Sequence, residues 1–266
     1  MLALEWGRGR SLGEYLEDVL TDPSSFFVIS AERALAAEFP ADLQARAVLS
    51  AIGADARAHK AILSRAGLPQ TSLDRALDSL LDKGLVERLT PYSAKPSPKN
   101  RQYVVADPYL RFWLRFVGHA TDTIDRGRGE LVVADAKRNF STFRGRAIEP
   151  TIREALEQTL PDERFAAARH VGSYWNRADT VEVDLVGGDT RPRASAIAFV
   201  GSIKWRDDQT FRRADTAALL AQRAAVPGAD AATALVCASR HGFDADVGLD
   251  VELTPNDIIA AYRPAR

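Results

Sequence analysis

At 266 residues, the chain is long enough for two domains, each with its own hydrophobic core. Its hydrophobic content of 46% and charged content of 27% are those of a soluble globular protein, and a net charge of −1 excludes a strong overall attraction to nucleic acid. The single cysteine, Cys237, excludes an intrachain disulfide, and its apolar neighbours indicate a small core residue. No apolar run reaches the roughly 20 residues that span a bilayer, and the N-terminus lacks a signal-peptide pattern, so we expect a cytoplasmic protein with no membrane partner.

Residues 1–40 are predicted to form a helical lead-in. Ser11–Leu20 has apolar side chains at helical spacing, and Thr21–Ser25 interrupts it. A second helix is expected from Ala31 to Phe39, ended by Pro40. The segment is too small to stand alone, so we expect it to pack on the domain that comes after it in the chain.

Residues 41–106 have the element order of a winged helix-turn-helix domain. The predicted elements are helices at Asp42–Ile52 and Ala58–Arg65, a third helix capped by Thr71 or Ser72 and ended at Lys83–Gly84, and strands Leu85–Leu89 and Gln102–Ala106 around the loop Thr90–Arg101. The segment has ten basic and six acidic side chains, so its net charge is +4 and that of the remainder is −5. This local positive charge is compatible with nucleic-acid binding.

In a winged helix, the third helix can enter the major groove while the loop between the strands contacts phosphates. The predicted DNA contacts are Thr71, Ser72 and Arg75 on the helix, and Lys95, Lys99 and Arg101 in the loop. Arg75 is the side chain suited to a base edge. Three aspartates on the same helix (Asp74, Asp78 and Asp82) would repel phosphate, so the alternative is a domain that packs against a protein partner or a neighbouring domain.

Residues 107–162 are predicted to form a helical connector. Its aromatic side chains at helical spacing are Tyr109, Phe112, Trp113 and Phe116, with Arg111 and Arg115 on the other side. Packing in a core explains this cluster better than stacking on nucleic-acid bases. Residues 163–266 alternate strands with helices, which predicts an α/β domain with a mixed sheet and an α+β organisation for the whole chain.

Two strand-like segments of that last domain carry residues with metal-site chemistry. Asp184 lies in the first, and Ser202 and Lys204 lie in the second. In a restriction-endonuclease-like fold, adjacent strands place an Asp and a Glu-x-Lys around one metal ion, where carboxylates bind Mg²⁺ and the lysine orients the attacking water or offsets developing charge. Ser202 stands where that pattern has Glu, and a neutral hydroxyl is a weak ligand for a hard cation.

Two other acids are candidates to replace the missing one. Glu182 alternates with Asp184 along the strand, which would put Val183 on the opposite face. Glu149 lies on the helix expected to precede these strands. No cofactor is certain, and Mg²⁺ or Mn²⁺ held by Asp184 and Glu149 is the one that the pattern suggests. The alternative is that Glu182 and Asp184 line the solvated face of a strand.

Several blocks together resemble a known family. They are Val104–Trp113, Phe140–Gly145, Val183–Asp184 and Gly201–Trp205. They are similar to the C-terminal half of prokaryotic AAA-type ATPases of the archaeal-ATPase group, which ends in a domain of unknown function with a restriction-endonuclease-like fold. The resemblance implies that Asp184 and Lys204 match the family's catalytic-type Asp and Lys, that Glu149 matches its helix acid, and that Ser202 departs from its Glu.

The sequence does not contain the ATP-binding motif of that family. No G-x-x-x-x-G-K-[ST] occurs, and Gly7–Gly13 lacks both the lysine and a preceding strand. We therefore expect no P-loop ATPase activity from these residues, in either a stand-alone remnant or a fragment of a longer protein.

These patterns support three hypotheses for function. The first is a DNA-binding protein whose degenerate nuclease-like domain acts without cleavage, in a regulatory role. The second is a metal-dependent DNase that uses Asp184 and Lys204 with Glu149 or Glu182 as the substitute acid. The third is a protein-interaction module that forms a homo-oligomer or binds a separate ATPase.

Overall fold

The structure, a computed structural model, describes residues 9–39, 43–95, 97–178 and 180–263. Its helices and mixed sheet confirm the predicted α+β organisation. The described chain forms two compact units: one comprises the residues up to Leu89 together with Gln102–Phe143, and the other comprises Thr90–Arg101 together with the residues from Arg144 onward. The finer division into four segments stays a prediction. No helix among the described residues is long and apolar enough to cross a membrane.

The first unit is mainly helical. Its helices are α1 (Leu12–Thr21), α2 (Phe26–Glu38), α3 (Leu43–Ile52), α4 (His59–Ala66), α5 (Gln70–Asp82), α6 (Pro108–Phe112), α7 (Thr121–Asp125) and most of α8 (Gly129–Ala147). Strands β1 (Arg57–Ala58), β2 (Val86–Leu89) and β3 (Gln102–Val105) form an antiparallel sheet in the order β1-β3-β2. The short strand β1 was not predicted from the sequence.

Local sequence signals explain some of the helix ends. Ser11 caps α1 in a capping box with Glu14, whose carboxylate accepts the Ser11 N–H at 2.7 Å. The prediction that Thr71 or Ser72 caps α5 is wrong, because Pro69 takes the N-cap position in an extended conformation and the helix starts at Gln70. After α5, Gly84 adopts a φ of +68°, as expected for a residue that ends a helix. The predicted boundaries at Pro40 and Asp42 lie outside the described residues.

The aromatic segment packs in the core of the first unit, as predicted. The Trp113 indole N–H donates to the Val28 carbonyl at 2.9 Å, and the Tyr109 hydroxyl donates to the Phe27 carbonyl at 2.7 Å. From Trp113 to Val117 the helix continues as a π-helical turn. Arg111 is buried, so only Arg115 lies on an exposed side.

The second unit is built on a mixed sheet. Its elements are α9 (Glu149–Thr159), β4 (His170–Trp175), β5 (Glu182–Gly188), β6 (Ile197–Gly201), β7 (Ile203–Lys204), α10 (Arg213–Arg223), β8 (Ala234–Ser239), β9 (Val251–Leu253) and α11 (Pro255–Ala261). Strands β4, β5 and β6 are antiparallel neighbours, and β8 runs parallel to β6, β7 and β9. Because β6 and β7 keep one register on β8, they act as a single strand interrupted at Ser202.

Both faces of this sheet are covered. Along β8, Val236 and Ala238 belong to one buried cluster, which includes residues of α9 and α11. Leu235 and Cys237 belong to the other, which includes Leu219 of α10. Cys237 is therefore the small core residue that the sequence predicts.

The loop Thr90–Arg101 belongs to the second unit rather than to the unit that contains β2 and β3. The Tyr92 N–H donates to the Ser173 carbonyl at 2.8 Å, and the Tyr92 hydroxyl donates to the Thr190 carbonyl at 2.8 Å. A Cβ on Gly172 would lie 2.6 Å from the Cβ of Tyr92, so glycine is needed where the tyrosine approaches β4. The expectation that this loop projects as a wing is therefore corrected, since burial of Tyr92 holds it against the sheet.

Candidate functional site

Asp184 and Ser202 face each other on neighbouring antiparallel strands. Asp184 precedes Leu185, and Ser202 follows Gly201, the residue paired with Leu185. The Ser202 hydroxyl donates to Oδ2 of Asp184 at 3.0 Å, and the Ile203 N–H donates to the same oxygen at 2.8 Å. One oxygen of the Asp184 carboxylate thus accepts two hydrogen bonds from the strand that carries the serine.

Strand β5 is irregular at Asp184. Tyr174 pairs with Val183 and Gly172 pairs with Val186, so one residue of β4 lies opposite two residues of β5, which is a β-bulge. Val183 and Val186 pack in the same cluster, although strict alternation would place them on opposite faces. The prediction that Glu182 and Asp184 share one face of β5 assumed strict alternation. The strand does not keep strict alternation at this point. Glu182 is exposed, whereas Asp184 is half-buried.

Helix α9 brings a second carboxylate to Asp184. Glu149 is its first residue, and Arg153, one turn later, lies 3.5 Å from the Glu149 carboxylate and donates to the Asp184 backbone carbonyl at 3.1 Å. Burial raises the pKa of Glu149 to about 7, and the negative charges of Asp184 and Glu182 add to the rise while Arg153 opposes it. The structure therefore brings together the three acids that the sequence singled out.

Lys204 ends β7 and is half-buried. Within the described residues it has no ion-pair partner. Lys204 also acts on Asp215. Burial alone would raise the pKa of Asp215, but hydrogen bonds from Arg206 and from the Arg212 N–H lower it, and the charges of Arg206 and Lys204 lower it further. Burial raises the pKa of Cys237 to about 12, so the neighbouring thiol stays neutral and is not a nucleophile at physiological pH.

These donors fit a hard divalent cation poorly. Asp184 already accepts two hydrogen bonds on one oxygen, Ser202 contributes a hydroxyl that donates to that carboxylate, and Glu149 holds a proton up to near-neutral pH. In the part of the chain that the structure describes, no group of three or more His, Cys, Asp or Glu side chains is arranged to hold a metal. Binding of Mg²⁺ or Mn²⁺ by Asp184 and Glu149 stays a prediction.

The predicted DNA-contact residues fall in two different units. On α5, Thr71 and Arg75 are exposed and Ser72 is half-buried. Asp74, which was expected to repel phosphate, accepts a 2.7 Å hydrogen bond from His59. The other three, Lys95, Lys99 and Arg101, lie on the loop that belongs to the second unit, with both lysines exposed and Arg101 half-buried.

Sequence reasoning missed Arg153. The signal was present, because an arginine four residues after Glu149 on a helix is positioned for an ion pair with it. Its contact with the Asp184 carbonyl depends on where α9 packs on the sheet, which no local pattern reveals.

The raised pKa of Glu149 predicts a pH dependence of stability. The folded pKa of about 7 exceeds the ordinary value of 4.5, so the favourable contribution of the protonated form is full below pH 4.5 and is lost as the pH rises through 7. We expect Glu149→Gln to be more stable than the wild type at pH 8 by about 2 kcal/mol, and similar to it at pH 5.

Urea unfolding at both pH values, followed by circular dichroism, measures this difference. Glu252→Gln is the matched control, since Glu252 is exposed on β9. If Glu149→Gln and Glu252→Gln change stability equally at pH 8, the carboxyl of Glu149 is not destabilised in the folded protein.

Comparison with known proteins extends only to part of the chain. Residues 113–217 match the model of the DUF234 family, described as Archaea bacterial proteins of unknown function. Over 195 residues, the chain is 21% identical to a protein of Methanocaldococcus jannaschii named uncharacterized protein MJECL04, an alignment that covers 73% of this chain and 43% of that protein. The chain thus spans less than half the length of that relative. No solved structure matches this chain significantly. The segment that carries Glu149, Asp184, Ser202 and Lys204 is accordingly similar to the DUF234 domain.

Proposed function

We propose that this protein binds DNA and that its second unit is a degenerate nuclease-like domain that does not cleave. One observation supports the non-catalytic part: the Ser202 hydroxyl donates to Asp184 at 3.0 Å, at the position where the restriction-endonuclease-like pattern has Glu. In that pattern, position 202 would supply a second carboxylate ligand. Here the Ser202 hydroxyl instead donates a hydrogen bond to the first carboxylate, Asp184. Lys204 is retained on the same strand, where its positive charge suits a phosphate group.

The DNA-binding part rests on residues 41–106. The succession of α3, α4, α5, β2 and β3 in the first unit supports a winged helix. The net charge of +4 over residues 41–106 supports an anionic partner, and three of the ten basic side chains, Lys95, Lys99 and Arg101, lie in the loop that belongs to the second unit. Arg75 is exposed on α5 and has no ion-pair partner within the described residues. The Asp74 carboxylate on that helix is engaged in a hydrogen bond with the His59 ring.

A mobility-shift assay tests this proposal. Pure protein is mixed with labelled duplex or single-stranded DNA, with Mn²⁺ or with EDTA, and both the shift and the cleavage products are read. We expect a shift that weakens with salt and no cleavage. Arg75→Ala should weaken duplex binding about tenfold, the effect of one base or phosphate contact. Arg33→Ala, which removes an exposed arginine on α2, is the matched control and should have little effect. Absence of a shift at low salt would contradict DNA binding.

The second candidate is a metal-dependent DNase that uses Glu149 in place of the missing acid. The proximity of Glu149 and Asp184, both contacted by Arg153, favours it. In the same assay, cleavage that requires Mn²⁺ and is lost in Asp184→Ala and Lys204→Ala would establish this activity. Cleavage that survives both substitutions would come from elsewhere.

The third hypothesis, that this protein binds a separate ATPase, also remains part of the proposal. It is supported by the resemblance of the Val104–Trp113 block to the archaeal-type ATPases. If the assay gives neither a shift nor cleavage, the protein-interaction hypothesis is favoured, and light scattering of the purified protein then separates a homo-oligomer from a monomer that binds a separate ATPase.

A further inference from the structure

Two arginines of the second unit converge on one carboxylate oxygen. Arg144 lies in the last turn of α8, and its Nη2 atom is 2.5 Å from Oδ1 of Asp207. Arg240, directly after β8, forms an ion pair with the same oxygen. Asp207 itself lies in the irregular segment that comes after β7. We call Arg144, Arg240 and Asp207 the arginine pair and its carboxylate.

The two guanidinium groups lie close together. They share one carboxylate oxygen, Oδ1 of Asp207. The side chain of Arg144 is 21% exposed and that of Arg240 is 38% exposed. Burial lowers the pKa of both arginines, and the charge of Arg144 lowers that of Arg240 further, so the two like charges lie close together. Two adjacent guanidinium groups favour an anion that offers each of them an oxygen of its own.

The group lies beside Lys204 at the carboxyl ends of parallel strands. Lys204 pairs with Ser239 across β7 and β8, and the N–H of Arg240 donates to the Lys204 carbonyl at 3.3 Å. In open α/β sheets, ligands bind outside the carboxyl ends of the strands. Asp207 is accessible there, since 45% of its side chain is exposed.

We propose that Arg144 and Arg240 form a binding site for a phosphoryl group, in which Asp207 occupies the position of a phosphate oxygen and is displaced by the ligand. Asp207 meets the pair with one oxygen, Oδ1, which both arginines share. A phosphoryl group offers three oxygens, so each guanidinium can form its own charge-assisted hydrogen bonds, and bidentate pairing with phosphate is the geometry that arginine favours. The phosphoryl group belongs either to a nucleic-acid backbone or to a small phosphate compound. Only the first of these sources rests on the proposed function.

The first experiment uses inorganic phosphate as the probe. The melting temperature of the full chain is measured against phosphate concentration, with chloride at matched ionic strength as the reference. Phosphate should stabilise the wild type and lose this effect in Arg240→Gln. Asp207→Asn removes the competing carboxylate and should bind phosphate about tenfold more tightly, the size expected for one charge-assisted hydrogen bond.

Asp208→Asn is the control. It makes the same change of charge one residue away, on an exposed side chain, and should bind phosphate as the wild type does. If phosphate stabilises neither the wild type nor Asp207→Asn beyond chloride, the proposal is overturned. Equal effects of Asp207→Asn and Asp208→Asn would also overturn it, because the carboxylate would then only pin the loop.

The second experiment separates the sources of the phosphate. Duplex DNA affinity is measured for Arg240→Gln, Asp207→Asn and Asp208→Asn. Weaker binding by the first and tighter binding by the second, with no change in the control, supports a nucleic-acid phosphate. Phosphate binding without any change in DNA affinity supports the site and overturns its nucleic-acid source. Loss of DNA binding in Arg75→Ala alone concerns the proposed function and leaves the phosphate result standing.

Discussion

Gly201→Ala is expected to destabilise the second unit by about 3 kcal/mol or more. A Cβ at this position would lie 1.8 Å from the backbone carbonyl oxygen of Val236 and 3.1 Å from the Cβ of Leu185. Neither neighbour is the flexible end of a side chain, so strands β6 and β8 would have to move apart. Because Ser202 is the next residue, the substitution would also displace the hydroxyl that donates to Asp184.

Urea unfolding of the full chain, followed by circular dichroism and tryptophan fluorescence, measures this loss. Gly145→Ala is the matched control, since Gly145 lies within helix α8 and an added Cβ would have no neighbour within 4 Å. That control should stabilise the protein by about 1 kcal/mol, because alanine is a better helix former than glycine. A Gly201→Ala variant as stable as the wild type would show that β6 and β8 are not packed this closely.

Ser202→Glu is expected to make the stability of the protein depend on a divalent cation. Ser202 is buried and hydrogen-bonded to Asp184, whose charge also acts on Glu149, so a third carboxylate there should cost about 2 to 4 kcal/mol at pH 8 without metal. Mn²⁺ would offset the repulsion, and a concentration one hundred times its dissociation constant would restore about 2.7 kcal/mol. The wild type, with a hydroxyl at this position, should respond little to Mn²⁺.

Thermal unfolding with MnCl₂ or with EDTA tests this expectation. Ser202→Gln has nearly the same size without the charge, so it should be destabilised without gaining a response to the cation. Equal stabilisation of the wild type and Ser202→Glu by Mn²⁺ would contradict the degenerate site and support the DNase. Indifference of Ser202→Glu to Mn²⁺ would show that Asp184 and position 202 do not share a metal-site geometry.

Much of the secondary structure was determined locally. The apolar spacing from Leu73 to Leu81 predicted α5, and the Ser11 signal marked the start of α1, because both depend on residues within one or two turns. The restriction-endonuclease-like pattern implied that Asp184 and Ser202 lie on adjacent strands. Their 3.0 Å hydrogen bond agrees with that pairing.

Other features depended on contacts between residues distant in sequence. Tyr92 draws its loop onto β4 of the second unit, although the local sequence of that loop predicts an ordinary exposed wing. The β-bulge at Asp184 arises from how β4 pairs with β5, which strand alternation alone does not encode. Burial and neighbouring charges, rather than any motif, set the pKa of Glu149.

The arginine pair and its carboxylate show the same division. Arg144, Asp207 and Arg240 are separated by long stretches of sequence and form no recognisable motif. They meet because the end of α8, the segment after β7 and the end of β8 all reach one edge of the sheet. The sequence by itself determined which residue types and local elements were available. Only tertiary packing decided which charges became neighbours, because hydrophobic burial places the elements, and charged side chains at their ends then find partners that no local pattern specifies.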